Sequence, residues 1–534
     1  MRHNKKQRNR LITSILASMV ALSAVSQTSG GRPQLVVEIM IDQLRSDYIE
    51  LLQNHFGENG FKRLTDNGAC FENVDFNIDN VDVVSSTAML LTGTYPRING
   101  LSGEQVYDIQ KRIYKKILCD PDKLGNFTSE NLSPKALKVS TISDELKISG
   151  GGLGYVYSIA PDAQQAIIMA GHAGNGAFWI NDLNGKWSTT TYYTDVPQAI
   201  TNRNYKMPLS SRIDTMSWYP CMNLAKYPDI ATHKKYYPFK YIFPASRKDR
   251  YETYKRSALV NEEVTSVALD FLNTLNMGCR GETDMLNIAY SLSPYSDEAG
   301  DGSVELQDKY LRLDKQLGRL LDAIDSRVGL KNTLVVVSST GYFEDNASVD
   351  PKYNIPSGEF SVSRAKSLLN LYLMAVYGNA QWVDDYKDEC FYLNQKQIKE
   401  KNINLKEIRK NASDFLRRMS GVVDSYSLDE IIDNPTDAIA QRLHNGVVAG
   451  HVGDVMVKIM PGWTIVAGEN NSQVKNEKYV RSSVISSPVY ILHPSIKAQK
   501  ISAPIDATIL APTVSRLLRI RSPNAAMEKP YIFE

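Results

Sequence analysis

The chain has 534 residues, 43% hydrophobic and 22% charged, with 32 Gly and 22 Pro. This is ordinary globular usage for one large α/β core with additions, and it excludes a disordered, collagen-like or coiled-coil chain. The formal net charge is +2, but five basic and no acidic side chains fall in residues 1–26, leaving 56 Lys+Arg against 59 Asp+Glu in the remainder. No basic stripe with interleaved aromatics follows, which argues against a nucleic-acid partner.

A basic head from Arg2 to Arg10 precedes the apolar run LITSILASMVALSAVS, which ends in small residues at Ala24 and Ser26. This is the layout of a secretory signal peptide over residues 1–26, with cleavage after Ser26. The run is short for a span of roughly 20 residues, and no second one follows, so no transmembrane span is expected. No cysteine precedes Cys70, so a lipid-modified cysteine at the cleavage point is excluded, and a periplasmic or secreted location is expected. Cys70, Cys119, Cys221, Cys279 and Cys390 show no CxxC spacing and allow one or two disulfides with at least one thiol left over.

PQLVVEIMID (33–42) reads as a buried strand that carries Asp42 to its C-terminal end, where open α/β sheets place their chemistry. Apolar runs at LNIAYSL (286–292) and TLVVVSS (333–339) flank the amphipathic stretch 304–325, which predicts two parallel strands with a crossover helix. The segment 177–193 reads as a hairpin around Asn184-Gly185, placed in an insertion at about 155–255 and outside the core. Residues 205–255 are rich in Tyr, Pro and Lys and read as irregular surface structure; 361–450 reads as mostly helical. Strand character returns at 454–463 and 486–493, before a last helix near 505–518. No fixed repeat is present, and GGGLG (150–154) lacks the Gly-Lys-Ser/Thr of a phosphate-cradling loop.

Four segments together carry a family resemblance: VVEIMIDQLRSDYIE with FGENGFKRLTDNGACFEN; TAMLLTGTYPRINGL; AGHAGNGAFWI with GKWSTTTYY; and YLRLDKQLGRLLDAID with NTLVVVSS. In order and spacing the chain resembles the alkaline phosphatase superfamily, nearest its secreted phosphate-irrepressible and nucleotide pyrophosphatase-like branches, over one domain at 33–530. The resemblance implies an α/β fold with a mostly parallel central sheet, helices on both faces and an inserted subdomain. It also implies hydrolysis of phosphate or sulfate esters with two zinc ions, or a calcium in sulfatases, held by Asp and His around a Thr, Ser or modified Cys nucleophile. Two cations about 4 Å apart lower the nucleophile's pKa and clamp the entering and leaving oxygens.

Carried over position by position, the resemblance leaves one metal ligand in place, Asp42. The nucleophile, nine residues before Thr92-Gly93, becomes Val83, which has no lone pair. The Asp and His of a D-x-x-x-H element fall near Ser296 and Gly300, with Asp297 the nearest acid; the next Asp-His pair becomes Thr340-Gly341, and the last histidine becomes Ser486. No histidine lies between 234 and 443. Phosphate-contacting Asn, Lys and Arg positions are matched by Glu104, Asp162 and Gln164, and carboxylates there repel a phosphoryl dianion.

Asp42 is therefore read as an inherited acid that now accepts hydrogen bonds. Ser85, Ser86 and Thr87 read as caps of the helix they open. His172 and His451 read as structural loop histidines, and Asp297, Glu298, Asp301 and Glu305 as a solvated loop without EF-hand spacing. Trp179, Trp187 and Trp218 mark either a recognition surface or the packing of an insertion. The expected role is that of an exported pseudoenzyme without a cofactor, a binding, scaffolding or regulatory component of the bacterial envelope with an envelope protein or glycan as partner. The alternative is an active zinc-dependent phosphatase, phosphodiesterase or sulfatase with a rearranged site.

Overall fold

The computed structural model describes residues 31–533 except 109–110, 229–237, 297–298, 342–356, 467–476 and 481–484. The segment read as a signal peptide, and the acids Asp297 and Glu298, lie outside the described residues.

LVVEIMID forms β1 (Leu35–Asp42), apolar on both faces as a central parallel strand must be. The other strands that frame the site are β2 (Ala69–Asp75), β3 (Val156–Ala160), β4 (Gly176–Ile180), β5 (Trp187–Thr190), β6 (Asp284–Ser291) and β7 (Thr333–Ser339). A second group comprises β8 (Val383–Lys387), β9 (Cys390–Leu393), β10 (Val422–Ser427) and β11 (Val455–Ile459), and β12 (Ser487–Leu492) returns to the first. Among the described residues the main sheet has eleven strands, and its central order is β2-β12-β7-β1-β6-β3-β4-β5. The stretch β7-β1-β6-β3-β4 is parallel throughout, whereas β12 and β5 run antiparallel to their neighbours.

Two apolar layers cover the sheet. Val37, Ile39 and Ile41 face α4 (Leu259–Thr274) and α5 (Val304–Arg327). Val36 and Met40 face α1 (Val83–Thr92), α2 (Ile142–Ser149), α3 (Ala163–Ala170) and α9 (Leu510–Leu518). α5 is the crossover helix expected between β6 and β7; Leu313, Leu317, Leu320, Leu321 and Ile324 make its buried stripe, and the Ser303 hydroxyl accepts the Leu306 N–H at its start.

Two expectations are corrected, and a third gains strands it did not include. The hairpin at 177–193 exists as β4 and β5, but it extends the main sheet, because Phe178 and Trp179 are as buried as the central strands. The region 361–450 is mostly helical, as read, but strands interrupt its helices. α6 (Val362–Tyr377), α7 (Leu405–Leu416) and α8 (Ala438–Gly446) alternate with strands of a four-stranded antiparallel sheet, order β8-β9-β11-β10, which has its own core around Leu369, Phe391, Ile408 and Val457. All five cysteines are free thiols, so no disulfide forms among them.

Candidate functional site

The parallel strands deliver their C-terminal ends to one edge, with Asp42 in register with Ser291 and Ile41 with Ser339. Three segments meet there. The Thr340 hydroxyl donates to Oδ1 of Asp42 at 2.9 Å, and the Ser293 hydroxyl donates to Oδ2. Thr340 is fully buried, and its Oγ1 also accepts the Gln43 N–H at 3.3 Å. Burial raises the Asp42 carboxyl above its ordinary range; the hydroxyls of Ser293 and Thr340 oppose that, Asp162 adds to it, and Lys309 opposes it. Gly341 continues the turn with φ 85°, where a Cβ would lie 2.8 Å from Cγ1 of Val81.

Val83 is the first residue of α1, and its side chain packs against the apolar layer beneath. The N-cap is Asp82, whose Oδ1 accepts the N–H groups of Val84 and Ser85 at 2.8 Å each. Ser85 returns the contact by accepting the Asp82 N–H, so it closes a capping box in place of the cap itself. Ser86 and Thr87 are fully buried inside the helix. Gly93, at φ 67°, ends α1, and Pro96 opens the next short helix, which accounts for the spacing of TGTYP.

Glu104 and Gln164 are neighbours: the Gln164 amide donates to the Glu104 carbonyl at 3.1 Å and its carbonyl accepts the Leu118 N–H. Glu104 keeps an exposed edge, yet desolvation first, and then the charges of Asp82, Asp162 and Asp42, push its carboxyl up to about 7. Asp162 pairs with Lys255, which also holds Asp182 at 2.7 Å. The charges of Asp82, Asp162 and Asp42 thus all reach Glu104, and Asp162 also acts on Asp42.

The remaining sequence candidates do not join it. His172 is held by Asp144 at 3.0 Å through Nδ1 and by the Leu137 carbonyl at 2.9 Å through Nε2; its pKa is raised chiefly by the Asp144 contact. The Gly300 carbonyl accepts the Ser303 N–H and the Ser486 carbonyl accepts the Ser46 N–H. Asp301 accepts from Arg45 and Tyr48, and Glu305 from Tyr241. Trp179, Trp187 and Trp218 are at most 2% exposed, with their indole N–H groups on Glu130, Glu263 and Asp308, so they form core and not a recognition face. Ser293 and Lys255 were missed in the sequence. Each acts on a residue remote in the chain, and neither sits in a motif.

Among the described residues no three His, Cys, Asp or Glu side chains gather where they could hold a metal ion. The groups bonded to the Asp42 oxygens are neutral hydroxyls, and they do not fit a zinc pair that calls for imidazole and carboxylate donors.

An open, largely parallel sheet with polar groups at its strand ends and helices on both faces is the α/β architecture that the family resemblance implies. The chain belongs to the type I phosphodiesterase / nucleotide pyrophosphatase family, whose model matches residues 36–483. It is 27% identical to alkaline phosphatase PafA of Elizabethkingia meningoseptica, over 97% of each chain. It is 26% identical to alkaline phosphatase PhoV of Synechococcus elongatus, over 93% of this chain and 92% of the relative. The crystal structure of wild-type alkaline phosphatase PafA superposes with a TM-score of 0.80 at 25% identity, covering 94% of this chain and 98% of that one. The alkaline phosphatase superfamily and its α/β fold are therefore shown. No described helix is long and apolar enough to cross a membrane.

Proposed function

We propose that this chain is an exported member of a phosphoester-hydrolase family that keeps the fold and the cleft and uses them for binding, without two-metal hydrolysis. The observation that carries this reading is the state of Asp42. Both of its oxygens are taken by hydroxyls of Ser293 and Thr340, and the adjacent helix opens with Val83 where the family resemblance calls for a nucleophile. Each hydroxyl donates one hydrogen bond and so occupies an oxygen that a metal ligand would offer. Export rests on the head and apolar run of residues 1–26, and an envelope protein partner remains part of the proposal.

A second reading, hydrolysis of phosphoesters through a rearranged site, is favoured by the relatives: two alkaline phosphatases align with more than nine-tenths of this chain. Turnover separates the readings. The purified chain, supplied with zinc, is expected to release p-nitrophenol from neither p-nitrophenyl phosphate nor bis-p-nitrophenyl phosphate above a buffer blank. Chelator-sensitive turnover of either ester establishes the second reading.

A further inference from the structure

We infer that His172 is a doubly protonated latch, which joins α2 to the segment 134–138 at neutral pH and releases that segment as pH rises. This latch is independent of what the cleft binds. The ring has an oxygen at each nitrogen: Oδ2 of Asp144 lies 3.0 Å from Nδ1, and the Leu137 carbonyl lies 2.9 Å from Nε2. A carbonyl only accepts, and so does an ionised carboxylate, whereas a neutral imidazole carries one N–H and one lone pair. Either neutral tautomer therefore turns a lone pair towards an oxygen, and two hydrogen bonds require the imidazolium.

The surroundings keep Asp144 an acceptor. Its Oδ2 also takes the Thr141 N–H at 2.9 Å, and its Oδ1 takes the Ala173 N–H at 2.7 Å. Burial works against the Asp144 charge, but the contacts from His172, Thr141 and Ala173 hold its carboxyl below the ordinary range. Around the same turn, Tyr192 and Tyr193 donate to the carbonyls of His172 and Gly171 at 3.0 Å each. Lys123 sits over the Tyr192 ring, Lys135 pairs with Asp122 and Lys138 acts on His451, so Asp144 is the charge that acts on His172. The His172 side chain is 35% exposed, which lets its proton exchange with solvent. The latch is complete below the ordinary histidine value of 6.5 and is lost as pH rises through the higher midpoint of the folded chain. The N–H groups of Leu137 and Lys138, bonded to the carbonyls of Pro134 and Asn99, report the order of the segment.

The decisive measurement is the carbon-13 ring signal of His172 in the full chain, assigned by its loss in His172→Gln and titrated from about pH 5 to about pH 9. Its midpoint is expected above 6.5, and Asp144→Asn is expected to lower it. Protection of the Leu137 and Lys138 amides, corrected for the intrinsic exchange rate, is expected to fall at least about threefold over that range in the wild type and to stay level in His172→Gln. A midpoint at or below 6.5, or an equal fall in His172→Gln, overturns the inference. Even without the variants, a wild type in which no histidine signal titrates above 6.5 overturns it.

Discussion

Asp42 and Glu38 lie on the same strand, and each carboxyl meets burial differently. Asp42 is satisfied at both oxygens by hydroxyls, so removing one donor leaves buried charge short of a partner. Thr340→Val is therefore expected to cost about 1–3 kcal/mol, read as a lower denaturant midpoint at unchanged slope. An unchanged midpoint would mean that the Thr340 contact carries no stability. Glu38 is 1% exposed, with one contact to Ser338 at 3.4 Å and Oε2 without a partner, and burial pushes its carboxyl up to about 8 from an ordinary 4.5. Between those values the folded chain keeps a proton that the unfolded chain has released, so this group's contribution to stability falls as pH rises through that window. Glu38→Gln carries no such penalty. Its stability relative to the wild type is expected to rise by about 1–3 kcal/mol from pH 5 to pH 8, measured by denaturant unfolding at both values. A constant difference would contradict the burial argument.

At the scale of elements, α1 depends on its first turn. Asp82 accepts two N–H groups there and Ser85 completes the box, so Asp82→Ala is expected to cost about 1 kcal/mol. An equally stable variant, judged by thermal melting, would remove the capping role. The same helix shows what the sequence discloses. Its end is local chemistry, since Thr-Gly-x-x-Pro encodes a left-handed stop and a proline start. Its cap was not legible, because Asp82 lies before the apolar run and competed with three hydroxyl residues that also suit a cap. The β4–β5 hairpin follows the same division: Asn184-Gly185 announces a turn, but whether a hairpin extends a sheet or stands apart depends on β3, twenty residues upstream. The strands Val383–Lys387, Cys390–Leu393 and Val422–Ser427 are five, four and six residues long, too brief for a period to stand out among flanking helices.

Across the whole molecule, the long-range pairs distinguish packing from recognition. Trp187 is 2% exposed and its indole N–H reaches Glu263, which also binds Arg203 and Arg212. Trp187→Ala is expected to cost about 3–5 kcal/mol in equilibrium unfolding. A loss of glycan binding at unchanged stability would return it to the surface role. The parallel order around β1 was legible from buried apolar runs separated by an amphipathic helix. The cleft was legible only through family resemblance, since Asp42, Ser293 and Thr340 are joined by folding across some 300 residues.

Asp42 ends in hydroxyls at the position where the family resemblance implies a metal ligand. Zinc per chain, measured by inductively coupled plasma mass spectrometry after equilibration with micromolar zinc and gel filtration, tests it most directly. Well under one zinc per chain is expected, with no difference between the wild type and Asp42→Asn; about two per chain in the wild type, lost in the variant, would show an intact metal pair.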